Sequence, residues 1–582
     1  MQPPDDQEGE ESTGSDARPG WSPPQPARDR IGLTLGFALA GVLVILYAAQ
    51  RSPVLSIPTE AQFGLVEVLP PLYWLGLGLL ALSLTLGARS NRDLLFVTAG
   101  AILLGMFAAT PGLFEPNPPV WDSYIHYAAA EDIIRGGRIP TDPSAYAANW
   151  PGFFLVTAFA GLTGSLPPID FLRIFPMFSG VITFLTLFLF LRVFFPAAVV
   201  RPASVLTSAL CVWAQYHVSP QGVGLALALL VMATAWDKRI PLRVANAVLF
   251  MGLVVSHATS AIFVLAFFGV DAVLALLASP WTAKRPTSQS PFGLRFNPFL
   301  IYGAVWLSWL FFVASGSAEL TKSMIISEFG NILNIGESTA NVVAARSVKN
   351  IYVWPPRIRL GALGVFGLGA LVGLFFLFRK KELRSQARFL TATVAGLGLL
   401  GVADIVLFKG LFYDRSLIFF AIVAPAAFLW GLHVFRVRPS IRKAVFVVLL
   451  ITAVAAASTT YYQEPFYSVT AQAVAVTNFL STHGEGLTVY DGEFPMPIWL
   501  LAQQPQPWED FPFYTVYPGP ISGAGGRPGS TFAVFDETAH LWYVQGHGIE
   551  VYQFYAGQRS NYSLTYDNGY AQIYMLSRTA GA

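Results

Sequence analysis

WDSYIHYAAAEDIIRGGRIPTDPSAYAANWPGF, residues 121–153, is the stretch on which the reading of this chain turns. Apolar runs flank it on both sides, yet it holds Asp122, His126, Glu131, Asp132, Arg135, Arg138 and Asp142, too much charge for lipid. Asp122 can cap a helix, and Tyr124, Tyr127, Ala128 and Ile133 fall near one helical face, so the pattern predicts a helix opening at Asp122. Gly136-Gly137 stops that helix, and Pro140 and Pro143 keep the residues after it extended or turning. Taken alone, the stretch admits two readings. It is a connector in which Asp122 only caps, or an ordered loop at a membrane face, where a membrane enzyme keeps its chemistry.

Composition decides what surrounds it. The chain has 582 residues, 54% hydrophobic and 12% charged, with a mean hydropathy of +0.53. Soluble domains carry roughly twice that charge, and many apolar runs reach the ~20 residues that cross a bilayer core. This describes an all-α polytopic membrane bundle. The net charge of +2 gives no sign of a nucleic-acid partner. The lone Cys211 can form no intrachain disulfide. Residues 1–27 are Pro-rich and acidic and read as a disordered cytoplasmic tail. No small-residue cleavage site follows the first apolar run, which reads as a retained span.

Lys/Arg bias sets the expected topology. Arg28 and Arg30 precede the first span, 31–49, and hold the N-terminus inside. Spans at about 68–88 and 93–111 come next, which leaves the 112–153 loop outside. The run 150–166 is short and broken by Gly161 and Gly164; if it dips or lies along the interface, every later loop obeys the charge rule. The remaining spans are placed at 172–195, 202–216, 221–237, 242–257, 258–279, 298–315, 359–378, 388–408, 416–436 and 442–460. That makes about thirteen spans within 28–464, with the C-terminus outside. Residues 465–582 then read as a small extracytoplasmic α/β domain, with a helix at 469–482 and strands at 487–491, 531–536, 549–555 and 571–576. The segment 538–544 is expected between strands, and the Pro/Gly-rich 504–530 as loop.

In this topology the polar residues of an apolar chain gather on the outer side. His217 and Gln221 (YHVSPQG), His257 (SHATS), Asp414-Arg415 (YDRS) and the 316–357 loop all fall there. Each has a plain structural alternative: an interfacial histidine, a helix cap, a solvated charge. Ionisable groups near membrane depth are nonetheless costly and tend to be kept for function. Asp271 and Asp404 are the main ionisable residues within spans. The chain shows no Walker motif, GxGxxG or zinc-ligand spacing.

The early Asp122, the Gly-Gly-Arg-Ile-Pro that ends its helix, and Asn149-Trp150-Pro151-Gly152 before a long apolar helix resemble the first-loop pattern of the GT-C superfamily of membrane glycosyltransferases. The likeness is to protein mannosyltransferase and oligosaccharyltransferase relatives. It extends through YHVSPQ, SHATS and YDRS to a small C-terminal domain with a Tyr-Asp-Asn-Gly-Tyr turn. The resemblance implies transfer of a sugar from a polyprenyl-phosphate or polyprenyl-diphosphate donor to a glycan, lipid or protein acceptor at the outer face of the plasma membrane, among membrane lipids. It implies that Asp122 is the general base or a ligand of a divalent cation, Mg or Mn. Arg415 is the candidate for the donor phosphate, whose oxygens a guanidinium fork matches, and His126, one turn after Asp122, can orient it. Trp150, His217, Gln221, His257 and Asp414 complete the substrate-binding candidates. The chain departs from the family pattern in having Asp122-Ser123-Tyr124 where many members have paired acids, and no acid in the YHVSPQ loop, which puts metal dependence in question. The Trp508-Glu509-Asp510 triplet is only superficially like an acceptor motif. A lipid-linked saccharide transporter or flippase, and a non-catalytic membrane protein, are the alternatives.

Overall fold

The computed structural model describes residues 31–120, 122–210, 214–282, 298–328, 352–380, 390–404 and 413–483, isolated positions apart, and the segments 487–490, 513–516, 531–536, 563–569 and 571–576. The tail 1–27, Trp121, Cys211, the charges between 329 and 351, most of the 388–408 span, the Trp508 triplet and the segments 538–544 and 549–555 lie outside the described residues.

Among the described residues, seven helices are long and apolar enough to cross a bilayer: Ile31–Arg51, Pro71–Ala88, Asp93–Phe114, Pro168–Phe194, Trp354–Arg379, Arg415–Val434 and Pro439–Ala457. An eighth candidate is Pro298–Phe312 with Ser315–Ser323, bent by 95° at the break between them. Five apolar helices are shorter, Gly152–Gly164, Ala197–Leu210, Pro220–Thr234, Ile240–Ser256 and Ala258–Leu274. Of the about thirteen spans expected, seven or eight are long enough to cross among the described residues, with part of the 388–408 span outside them. Between 197 and 282 the helices break where expected, at the His217–Ser219 link and the turn at His257, but those met for the spans 202–216, 221–237, 242–257 and 258–279 count among the shorter apolar helices. The helix Gly152–Gly164 has 13 residues and covers about 20 Å, short of the ~30 Å hydrocarbon core. Leu155, Val156, Phe159 and Leu162 stay exposed along it, as on a helix that dips or lies at the interface.

The lipid side is written in exposed apolar faces. Leu33, Leu35, Leu39, Leu43 and Leu46 line one side of the first helix, and Val447, Val448, Ile451 and Val454 one side of the last. Inside, small residues let backbones approach, since water is not there to drive apolar association. A Cβ on Gly373 would stand 2.2 Å from the Ala427 carbonyl oxygen, and one on Gly431 2.4 Å from Gly373 Cα. Asn246 crosses the bundle, donating to the Val231 carbonyl at 2.7 Å and the Thr234 hydroxyl at 2.8 Å while Tyr302 donates to it.

One end of the bundle is clamped by Arg201. It donates to the Ala88 and Ser90 carbonyls and to Asp93 at 2.7 Å, and Arg192 stands 3.5 Å from the same carboxylate. The other end carries the polar structure. Trp150 donates to Ser317 at 3.1 Å, Trp309 to the Asn149 carbonyl at 3.0 Å, and the Ser317 amide to the Asn149 side chain at 3.2 Å. Gly316 is required there, because a Cβ would lie 1.9 Å from the Pro143 carbonyl oxygen. Beyond the helix Ala471–His483, five strands form one mixed sheet: β1 (Leu487–Tyr490), β2 (Phe513–Val516), β3 (Thr531–Asp536), β4 (Ser563–Asp567) and β5 (Ala571–Leu576), in the order β2-β1-β3-β5-β4. β1 pairs parallel with β2 and β3, while β5 pairs antiparallel with β3 and β4. The strand β2 falls inside the stretch expected to be loop, and β4 is an edge that the sequence pattern did not single out.

These contacts place residues 141–150 and 315–328 at one end, the end that the charge bias, with the C-terminal sheet, is expected to put outside. With Cys211→Ser as background, an impermeant thiol reagent on intact cells is expected to label Thr141→Cys, Ser323→Cys and Ser563→Cys. Arg239→Cys is expected to label only after lysis. Labelling split among the first three positions would contradict the arrangement.

Candidate active site

The loop that enters the helix Asp122–Gly136 is tied to the segment after the last span. Asn117 donates to the Val469 carbonyl at 2.9 Å, and the Val120 amide to the Tyr467 carbonyl at 2.9 Å. The Tyr124 hydroxyl reaches back to Pro118 at 2.7 Å, and Arg173 donates to the Pro116 carbonyl at 2.5 Å. Val120 has φ +69°, an uncommon and strained conformation for a β-branched residue that surrounding contacts must hold. It stands two residues before Asp122. At the far end Gly137, at φ +59°, turns the chain out of the helix. Tyr124, Tyr127, Ala128 and Ile133 are buried, the face the sequence pattern assigns.

Asp122 is the first residue of this helix, and its side chain is turned to two imidazoles. Asp122 Oδ2 lies 3.6 Å from His126 Nδ1 and 3.6 Å from His217 Nε2. The carboxylate is 36% exposed, while the two histidines are 14% and 16% exposed, so the acid faces open space with the rings behind it. Burial works to raise the Asp122 pKa. Contact with His217 and the charges of His126, His217 and Arg415 outweigh it and hold the carboxyl below the usual range. His126 is shifted down, mainly by burial against the counter-pull of Asp122. Its Nδ1 donates to the Val218 carbonyl at 3.0 Å, which fixes the tautomer because a carbonyl only accepts. The His126 ring packs near Phe153 and Phe154, with centroids 6.0 and 5.9 Å away.

A second polar group stands beside this one. The Ser260 amide donates to His257 Nδ1 at 3.3 Å and the Ser260 hydroxyl lies 2.7 Å from it, leaving His257 Nε2 to face Thr259 Oγ1 at 3.2 Å. Arg415 donates to the same Thr259 oxygen at 3.2 Å. His257 is thus a buried link that positions Arg415 through Thr259. Gln221 is buried in the first turn of Pro220–Thr234, and its Oε1 has no hydrogen-bond partner among the described residues. Trp150 is 1% exposed and packs with Leu310 and Ala314, which makes it an anchor of the loop rather than a surface for substrate. Asp414 lies in the first turn of Tyr413–Val434.

A cavity of about 420 Å³ opens at this end, with Asp122 and His217 on one side and Arg359, Tyr461, Gln463 and Glu464 on another. That volume falls within the range of small-molecule sites. Arg359 donates to the Thr459 hydroxyl at 2.9 Å and carbonyl at 2.6 Å, over the Tyr462 ring at 4.7 Å. Sequence reasoning passed over Arg359 and Glu464, although each is an ionisable residue within a turn or two of a span end. Arg415 acts on Asp122 through its charge, while Arg359 is the guanidinium on the cavity wall.

The divalent cation implied by the family resemblance meets a poor donor set around Asp122. One carboxylate stands between two imidazoles, one of them already donating to a carbonyl, whereas Mg and Mn take oxygen-rich shells. Among the described residues no group of three or more His, Cys, Asp or Glu converges as metal ligands. The residues present do not fit a resident metal there.

No protein-family model matches the sequence, and no curated protein does. Among solved structures, the chain is similar to ArnT from Cupriavidus metallidurans bound to undecaprenyl phosphate. The identity is 13% and the TM-score 0.42, over 84% of this chain and 99% of that one.

Proposed function

We propose that this protein is a membrane glycosyltransferase that moves a sugar from a polyprenyl-phosphate-linked donor to the hydroxyl or amide of a glycan, lipid or protein acceptor, with Asp122 as general base. The observation that carries the reading is a carboxylate, backed by two imidazoles, on the wall of a cavity that also holds a guanidinium. In the reaction the acceptor atom attacks the anomeric carbon, its proton passes to Asp122, and the bond from that carbon to the donor phosphate breaks with its electron pair leaving on the phosphate. Arg359 takes up that charge through its planar fork. Arg415, braced by Thr259, keeps Asp122 ionised. His126 and His217 fix the direction of the carboxylate, and their 3.6 Å separations leave room to tighten when substrate arrives. A site at the end of the bundle, open on a cavity beside the bilayer, suits a donor anchored in lipid by its tail.

Asp122→Asn separates capping from catalysis, because an amide caps about as well but takes no proton. Expression and thermal stability are expected near wild type, with transfer to acceptor in membranes lowered roughly 10²–10⁴-fold. Full activity in Asp122→Asn would leave the residue a cap.

The depressed Asp122 pKa sets the pH profile. The base works when deprotonated, so the acid limb of the rate lies below the ordinary carboxylate range. His217→Phe removes an influence that lowers that pKa, and the limb is expected to move to higher pH. A limb that stays in place would remove His217 from the site.

Arg359→Lys keeps the charge and loses the fork. Donor affinity is expected to fall about 10- to 100-fold, the worth of a hydrogen bond to a charged group, in a direct binding measurement with polyprenyl phosphate. Unchanged affinity in both Arg359→Lys and Arg359→Ala would assign the phosphate elsewhere.

A further inference from the structure

Arg359, near the start of Trp354–Arg379, lines the cavity; Arg379 closes that helix about 30 Å further on. There Trp354–Arg379 and Tyr413–Val434 end and Pro439–Ala457 begins. Phe376 stacks on Phe435 with ring centroids 4.3 Å apart, which holds the first two ends side by side. Arg379, Lys380, Arg436, Arg438 and Lys443 are exposed, and half-buried Arg442 donates to His433 Nδ1 at 3.2 Å. Among the described residues none of these six cations forms an ion pair. Two acids expected on the same side, Asp93 and Asp237, are bound to Arg201 and Arg239. The inner-side charge bias explains cations at this end, and the helix dipole favours Arg379 in the last turn of its helix. Neither explains Arg436. The helix before it closes in a Schellman turn, with the Val437 amide donating to the Leu432 carbonyl at 3.3 Å and the Arg436 amide to the His433 carbonyl at 3.1 Å. Arg436 holds the left-handed position of that turn, at φ +53°, which glycine fills without strain and arginine does not. The dipole also disfavours Arg442 and Lys443, which stand near the start of Pro439–Ala457. Beside these charges Phe375, Phe378, Phe435 and Ile441 are between 44% and 57% exposed.

We propose that this cluster binds an anionic glycerophospholipid, its phosphate held by Arg436 and Arg438 and its acyl chains laid along Phe375, Phe378 and Ile441. Charge complementarity names the headgroup. Six cations select an anionic lipid over a zwitterionic one, and guanidinium groups match phosphate oxygens in a bidentate fork. The exposed rings name the rest of the ligand, since a molecule with acyl chains covers them and a free phosphate does not. Charge bias makes this the inner leaflet, across the bilayer from the cavity, so the lipid is not the sugar donor. Bound there, it neutralises the turn at Arg436 and ties three helix ends together. The proposal stands whether or not the protein transfers sugar.

The test uses the full chain in neutral detergent, titrated with phosphatidylglycerol or with phosphatidylcholine of the same acyl chains. Bound lipid is read by native mass spectrometry and the thermal midpoint is followed alongside. Phosphatidylglycerol is expected to bind and to raise the midpoint, as a ligand of the folded state must, with a preference over phosphatidylcholine that shrinks as salt screens it. Arg436→Gly combined with Arg438→Gln is expected to lower phosphatidylglycerol affinity roughly 10- to 30-fold, the worth of two basic residues at an anionic surface. Glycine takes the left-handed position without strain, so this variant keeps its fold and the loss reports on binding. Arg239→Gln combined with Arg243→Gln removes the same charge from another turn expected on that side, and is expected to bind as wild type does. Equal affinity of wild type for the two lipids would overturn the proposal. So would an unchanged preference in the Arg436 and Arg438 variant, or an equal loss in the Arg239 and Arg243 variant, which would leave only diffuse charge. Inorganic phosphate that stabilises the chain as much as the lipid does would make the ligand a free anion and overturn it too.

Discussion

An ionised carboxylate at the end of an apolar bundle persists only where something replaces the water it has lost. Around Asp122 the replacement is two imidazoles at 3.6 Å and the field of Arg415. Each partner is held in turn: His126 by the Val218 carbonyl, Arg415 by Thr259, and Thr259 beside His257. Bilayer physics forces this crowding. Within the hydrocarbon every backbone polar group must be satisfied by helix, which leaves irregular backbone and charge to the ends. The turn at His257 and the link at His217 are such ends, and they lie near the Asp122 helix because the helices that carry them are short.

The second constraint is that a loop carrying the proposed base must not move. The segment before Asp122 has no regular structure of its own, and its backbone and side chains are bonded to residues 467–469. The positive φ of Val120 is strained and survives because its amide is fixed to Tyr467. The far side of the loop is seated by Asn149 and Trp150 on the break between Pro298–Phe312 and Ser315–Glu328. Residues far apart in the chain thus hold one short helix from both ends.

The local features of this design were legible in the sequence. The helix from Asp122, its stop at Gly136-Gly137, the apolar runs and the strands at 487, 531 and 571 all come from periodicity and turn chemistry. The gathering of His217, His257 and Arg415 near Asp122 came from charge bias, because topology alone sends those loops to one end. The features that depend on packing were not legible. Trp150 looks like a recognition residue until the helix break that receives it is known. Arg359 and Glu464 sit at span ends, where a charge reads as a marker of orientation, and nothing local says that they turn toward a cavity. The breaks at His217–Ser219 and His257 were placed correctly, but apolar composition does not show whether each helix between them is long enough to cross. The strand Phe513–Val516 lies in a Pro/Gly-rich stretch and gains its identity from pairing with Leu487–Tyr490.

In the proposed reaction the two guanidinium groups divide a task that sequence reading gave to one residue. Arg415 was the natural phosphate ligand, as a cation at the outer mouth of a span. In the structure its Nη1 donates to Thr259, and its charge acts on Asp122 and His126. Arg359 lies along the cavity wall, its side chain braced by Thr459 and stacked over Tyr462. A cation that both keeps the base ionised and neutralises the leaving phosphate would have to relax its hold on one as the other developed charge. With two cations, each field stays aimed at its own target through the reaction, the condition under which preorganised charge lowers a barrier without reorganisation.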